Sequence, residues 1–312
     1  MIIDQFVPGT KRGLYITFLF VLTQFMISAQ ELEPRALTNV PAGLNFALAA
    51  YAYSAGNILP DPSIPIDDFN GKIHGGALAY ARSIKLFGHY AKVDAVLPVA
   101  DGSWTGTLGD DPKQRDITGF ADMRLRLSMN LIGGTVGKHN MNTPIIAGFS
   151  LQVIAPTGQY DPERLVNLGT NRWTLRAQIG ASRQFEKWIV EAYVGVWAFT
   201  RNDDFFGGSQ YEQNPLGVLK LHLIRKLKST DWLAFDIGYG LGGKPIVNND
   251  LRDARISTMR LGFTYALNLG KGHVLRTFII TGIRFEKGGD FDGVGLAYMY
   301  RWGKPKNVPV SK

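Results

Sequence analysis

Along most of this chain, large apolar residues alternate with polar or small ones at every second position. Residues 122–131, "DMRLRLSMNL", set Asp122, Arg124, Arg126, Ser128 and Asn130 on one parity and Met123, Leu125, Leu127, Met129 and Leu131 on the other. A helix of period 3.6 would scatter those charges around its cylinder, whereas a strand of period two gives one polar face and one apolar face. The same pattern recurs in "WLAFDIGYGL" (232–241), "MRLGFTYALNL" (259–269) and "VGLAYMYRW" (294–302), and in the stretches beginning at residues 148, 173 and 218.

Segments bounded by Gly, Pro, Asn or Asp clusters give about twelve strands, near 43–54, 72–85, 90–100, 119–131, 144–156, 172–183, 187–200, 216–226, 231–242, 256–269, 273–286 and 291–302. Strands of soluble sandwiches average about 5–6 residues, while a tilted strand that crosses a bilayer needs about 9–11. These segments have the longer measure. Their connections also alternate. Long ones such as "DGSWTGTLGDDPKQRDIT", "TGQYDPERLVNLGTN" and "RNDDFFGGSQYEQNP" are interleaved with short ones such as "LFGH", "RQFEK" and "GKG". Transmembrane barrels join short periplasmic turns to long outer loops, so the rhythm predicts an all-β, antiparallel, up-and-down transmembrane barrel with both termini in the periplasm. The apolar parity then meets lipid and the polar parity lines the lumen.

The N-terminus agrees with export. Lys11 and Arg12 precede an apolar run at 14–27, and small Ala29 follows. That run is shorter than the roughly 20 residues a membrane helix needs, so residues 1–29 read as a secretory signal. The remaining divisions are a periplasmic segment at 30–42, the barrel at 43–303 and a tail at 304–312. Composition fits: aromatics make up 12% of 312 residues, there are 36 glycines, and the mean hydropathy of −0.03 is too low for a bundle of apolar helices. With no cysteine, disulfides, thiol catalysis and thiolate metal sites are excluded. The net charge of +8 falls to about +7 when Lys11, Arg12 and Asp4 leave with the signal. No long basic run accompanies it, so nucleic acid is not a predicted partner.

Strand parity aims Lys92, Asp94, Asp122, Arg124, Arg126, Arg176, Glu191, Lys220, Asp236, Arg260, Arg276, Arg284, Glu286 and Arg301 into the lumen. On the lipid face a charge costs roughly 2–4 kcal/mol at the midplane, which enforces that parity. One reading is an arginine-biased constriction that attracts carboxylates; the other is charges that pair across strands and fill the lumen. The loop "GQYDPERLVNLGTNRW" (158–173) offers Tyr160, Arg164 and Trp173 as mouth contacts, although its Pro, Gly and Asn also suit a plain turn and Trp173 suits the interfacial aromatic belt. The acidic pairs Asp67-Asp68, Asp110-Asp111 and Asp203-Asp204 suit loop solvation or divalent bridging to lipopolysaccharide. Catalysis would need a histidine beside them, and His74, His89, His139, His222 and His273 include none in a clear long outer loop. No catalytic residue, metal site or cofactor is expected.

The segments "TGFADMRLRLSMNL" (118–131), "PTGQYDPERLVNLGTNRW" (156–173), "NDDFFGG" (202–208), "AYMYRWG" (297–303) and "PAGLNFALAAYAYSAGN" (41–57) resemble the outer-membrane transporter family of the meta-pathway of phenol degradation. The resemblance covers essentially the whole mature chain. It implies a Gram-negative outer-membrane, porin-like barrel for passive uptake of small aromatic or hydrophobic compounds, with lipid, lipopolysaccharide and the barrel assembly machinery as partners. The alternative is a non-transporting surface barrel whose loops bind a partner or stabilise the outer leaflet. In one respect the chain departs from outer-membrane habit: the expected terminal aromatic, Trp302, is followed by "GKPKNVPVSK".

Overall fold

The computed structural model describes residues 32–59, 66–108, 110–134, 145–227, 230–285 and 288–305. The signal segment, His139 and Glu286 lie outside the described residues, as does the side chain of Arg284. The strands are β1 (Asn45–Leu59), β2 (Ile66–Leu86), β3 (His89–Leu108), β4 (Asp111–Phe120), β5 (Arg124–Ile132), β6 (Ile145–Ile154), β7 (Thr174–Phe185), β8 (Trp188–Phe199), β9 (Asn202–Phe205), β10 (Ser209–Gln213), β11 (Leu216–Lys226), β12 (Trp232–Gly242), β13 (Pro245–Val247), β14 (Asp250–Leu251), β15 (Ile256–Gly270), β16 (His273–Phe285) and β17 (Gly288–Trp302).

Twelve positions close into a cylinder. Each strand pairs antiparallel with the next in the order β1-β2-β3-β5-β6-β7-β8-β11-β12-β15-β16-β17, and β17 returns to β1 with Tyr51 opposite Leu296. Closure leaves no strand edge for lipid to strand unsatisfied, which is the condition for a sheet to cross a membrane. Two of the short turns need positive φ at consecutive residues. Phe87-Gly88 (φ 46° and 81°) and Lys271-Gly272 (φ 48° and 90°) supply it, matching the right-handed twist of their flanking strands.

The faces are the reverse of those of a soluble sheet. Ile179 is 66% exposed and Leu78 65%, while Asp236 is 0% and Glu191 2%. On β11, Leu219, Leu221 and Leu223 face outward as Lys220 and His222 are buried. The alternation is therefore apolar to the outside and charged to the lumen.

Three features depart from the even cylinder. First, β2 and β3, at 21 and 20 residues, are about twice the length needed to cross, and their far ends stand beyond the wall with β4 as a third strand. Second, the fourth wall strand is broken at 121–123, opposite Pro98. The Pro98 carbonyl accepts from the Ala121 N–H at 3.0 Å, but proline has no N–H to give back, so β4 and β5 separate there. Third, the stretches 202–213 and 245–251, read from sequence as plain outer loops, fold into a four-stranded sheet in the order β14-β13-β10-β9 around buried Phe205, Tyr211 and Val247.

Candidate functional site

The lumen carries three layers. At mid-height, Arg126 from β5 is the hub. Its Nε donates to both Asp94 oxygens at 3.1 Å, and its two terminal nitrogens donate to Glu33 at 2.6 and 3.3 Å. Lys92 and Arg276 add positive charge around the same glutamate. Glu33 belongs to the segment at 32–44, which makes its contacts on inward side chains of the barrel. The Arg35 N–H donates to Glu191 at 2.7 Å, and Tyr193 donates to the same carboxylate at 3.0 Å. Asn130 donates to the Leu37 carbonyl and to Asn39, at 2.8 and 2.7 Å. Leu32 sits over Gly238 and Gly262, where an added Cβ would come within 2.9 and 2.8 Å of it. The described part of this segment thus lies within the cylinder wall, where a linear reading of 30–42 puts a periplasmic lead-in.

Glu33 gives that attachment a pH dependence. Burial on its own would raise the carboxyl, but Arg126, Lys92 and Arg276 together hold it well below its ordinary value. A lowered carboxylate stabilises the docked segment fully above the ordinary carboxylate range, and the contribution fades as pH falls through the lowered value. A nitroxide or fluorophore on Thr38→Cys, clean in a chain with no cysteine, is expected to stay immobile through the ordinary carboxylate range. It should gain mobility only in stronger acid; release already on mild acidification contradicts the assignment.

The layer toward the short turns is apolar. Ile189, Ile224, Trp232, Ala234 and Ala266 form a buried cluster, with the Arg35 and Arg276 guanidinium groups 5.8 and 5.6 Å from the Trp232 ring. Just above it His222 Nδ1 lies 2.6 Å from Asp236, whose other oxygen accepts from Thr264 at 3.2 Å. Among the described residues the far nitrogen of His222 has no hydrogen-bond partner. Among the described residues no three His, Cys, Asp or Glu side chains gather as a metal site.

The outer layer is built by the connection at 155–173, which folds inward. Asp122, freed by the break in the wall strand and fully buried, fastens both ends of it. The carboxylate accepts from the Gly158 N–H at 2.9 Å, from the Thr170 N–H at 2.9 Å and from the Thr170 hydroxyl at 2.7 Å. Gly158 and Gly169 are in backbone contact, where a Cβ on either would meet the other at 2.7 Å. The loop places Val166 and Leu168 against Phe69 and Ile73 of β2, Trp104 of β3, Ile117 of β4 and Phe291 of β17, an apolar cluster under the mouth. Tyr160 ties this loop to the outer sheet, donating to the Asp204 carbonyl at 3.1 Å and accepting from Asn202 at 2.9 Å. Arg172 lies 4.2 Å from the Phe199 ring and 5.0 Å from Tyr211.

Of the charges that parity aims inward, Asp94, Asp122, Arg176, Glu191, Lys220, Asp236 and Arg260 are buried, and Lys92, Arg124 and Arg126 half-buried. The structure brings Lys92, Asp94 and Arg126 into one network with Arg276 nearby and gives the others separate tasks: Asp122 holds the loop, Glu191 the N-terminal segment, Asp236 the histidine, and Arg176 lies 5.2 Å from the Trp197 ring while donating to Gln178 at 3.1 Å. Of the loop residues, Arg164 is exposed and 3.8 Å from Asp161, and Trp173 is 52% exposed beside the outer end of β7. Sequence reasoning missed the apolar cluster. The signal was present, because Ile73, Trp104 and Phe291 sit on the inward parity of their strands, an exception to polar-in alternation.

The family described as "Putative MetA-pathway of phenol degradation" matches residues 53–300. Among solved structures, the COG4313 outer membrane channel from Pseudomonas putida F1 superposes with a TM-score of 0.77 at 21% identity, covering 87% of this chain and 100% of that one. The transport unit of the autotransporter AIDA-I from Escherichia coli gives 0.50 at 8% identity, covering 93% and 96%. No curated protein matches. The match to the family spans nearly all of the barrel, and the chain belongs to the MetA-pathway phenol-degradation family.

Proposed function

We propose that this barrel resides in the bacterial outer membrane, reached by cleavage of the signal at residues 1–29, and passes small hydrophobic or aromatic compounds inward without an energy source. The observation that carries the reading is the apolar cluster of Phe69, Ile73, Trp104, Ile117, Val166, Leu168 and Phe291 under the mouth of an otherwise charged lumen. An aromatic solute needs apolar surface and an oriented donor; the cluster supplies the first, and Trp104 Nε1, buried with no hydrogen-bond partner among the described residues, supplies the second. The Pseudomonas putida barrel of the same fold is a channel, which supports the reading from outside. The outward row of Tyr298, Tyr300 and Trp302 on the last strand, with Tyr300 and Trp302 stacked at 5.6 Å, suits both an interfacial belt and recognition by the assembly machinery, with the tail at 304–312 as an appended extension.

A second reading, a non-transporting surface barrel, is favoured by the N-terminal segment across the lumen and by the folded outer sheet. Uptake of a radiolabelled aromatic by cells with and without the gene separates the two. The channel reading expects uptake to fall when the gene is deleted and to stay low when Val166→Asp and Leu168→Asp are introduced together into a barrel that still assembles. Equal uptake with and without the gene gives the protein to the second reading.

A further inference from the structure

We propose that the outer wall at β6, β7 and β8 carries a binding site for an anionic glycerophospholipid of the periplasmic leaflet. Three alanines lie side by side there, Ala147 opposite Ala181 and Ala181 opposite Ala192, on the outward parity of adjacent strands. Adjacent strands are about 4.8 Å apart, so the alanines make a hollow about two strand spacings wide. Phe149, Ile179, Val194 and Leu131 rim it, the last raised by the irregularity in β5 between Asn130 and Ile132. The groove, open to the surroundings, offers about 480 Å³ and is almost wholly apolar. It suits an acyl chain.

The headgroup end is charged. One outward step along β7 from Ala181, about 7 Å toward the short turn, stands Arg183. Its guanidinium lies 4.8 Å from the Phe185 ring; Phe185 is opposite Trp188, and Arg225 lies 4.7 Å from the Trp188 ring. Two outward arginines are therefore held on two aromatic rings at the level where the bilayer gives way to water. Neither forms an ion pair within the protein among the described residues. An outward guanidinium at that depth is stabilised by a phosphate, and arginine's planar fork suits a phosphodiester. A chain seated in the alanine hollow places its phosphate at these two groups. A zwitterionic lipid offers the same chain but no net charge, and inorganic phosphate offers the charge without the chain.

The proposal rests on the membrane orientation given above, and native mass spectrometry of the detergent-solubilised full barrel tests it separately from transport. With phosphatidylglycerol, phosphatidylcholine or inorganic phosphate added, the protein should retain phosphatidylglycerol over phosphatidylcholine by about 25-fold, since a basic residue near an anionic lipid surface is worth about a factor of five. It should retain no inorganic phosphate. Arg183→Gln with Arg225→Gln should abolish the preference while leaving chain binding, and Ala192→Phe should reduce both lipids. Heat-modifiable migration confirms that each variant is a folded barrel, and aromatic uptake by the same variants should stay at the wild-type level. Equal retention of the two lipids by the wild type, or a preference untouched by the double arginine change, overturns the proposal. So does a dimer that Ala192→Phe dissociates, which would give the groove to a second copy.

Discussion

Replacing Asp122 with alanine should release the 155–173 loop from the lumen and open the outer mouth. One buried carboxylate holds three donors from the two ends of that loop. Hydrogen bonds to a charged acceptor are worth about 1.5–3 kcal/mol each, and donors left buried without a partner cost as much again. The released loop regains water, so the net change is about 3 kcal/mol, roughly a hundredfold in the ratio of docked to free loop. Trypsin cleavage after Arg164, followed by mass, should accelerate by that order in intact membranes. Asp122→Asn should fall between, because the carboxamide keeps one acceptor but turns an NH2 toward a donor. Unaltered cleavage in the alanine variant would mean that the loop is held without Asp122, by Val166, Leu168 and the Tyr160 hydrogen bonds.

The second large effect belongs to the middle layer. Arg126→Ala leaves Glu33 and Asp94 facing each other with their shared cation gone. Removing one partner of a fully buried pair costs about 3–5 kcal/mol. Glu33 keeps 42% of its side-chain surface open, so about 2–3 kcal/mol is the expected weakening here. That is enough to loosen the N-terminal segment without unfolding a cylinder whose ladder hydrogen bonds are untouched. In planar bilayers single-channel conductance should rise in Arg126→Ala, and rise as far in a chain lacking residues 30–42. If the truncated barrel conducts no more than the intact one, the segment is not what narrows the lumen. The network also bears on selectivity. An arginine bound by two carboxylates presents little free positive charge, so the attraction for carboxylates that an arginine-rich lumen suggests is offset at this level.

Most of the wall was legible in the sequence because period two has one cause, a strand with different surroundings on its two faces. Residues 216–226 were bounded correctly to the residue, since Pro215 and Gly217 mark one end and the "KLKST" turn the other. Leucine at 219, 221 and 223 left no other phase. What escaped notice lies where the two faces no longer differ as lipid and water do. Beyond the bilayer β2, β3 and β4 continue through Gly, Ser, Thr and Asp, a composition that reads as loop but is held as strand by the partner alongside. The outer sheet of β9, β10, β13 and β14 depends on the Phe205 and Tyr211 pair of one hairpin meeting Val247 of a distant segment, a contact that no local pattern announces. The same holds for the site. Asp122 was read as one lumen charge among many, and its role as the fastener of a loop starting 33 residues later follows only from Pro98 on the neighbouring strand interrupting the ladder. Leu32 over Gly238 and Gly262 is similar, since a glycine on an inward parity shows room but not the side chain that fills it.

The central claim is a cylinder with its apolar side outward. The most direct test is nitroxide scanning of residues 217–225 in the reconstituted protein, reading collision with lipid-dissolved oxygen against collision with an aqueous nickel chelate. Positions 219, 221 and 223 should favour oxygen, and positions 220 and 222 should not, with a period of two throughout. Oxygen accessibility highest at 220 and 222, or equal at neighbouring positions, would contradict the account.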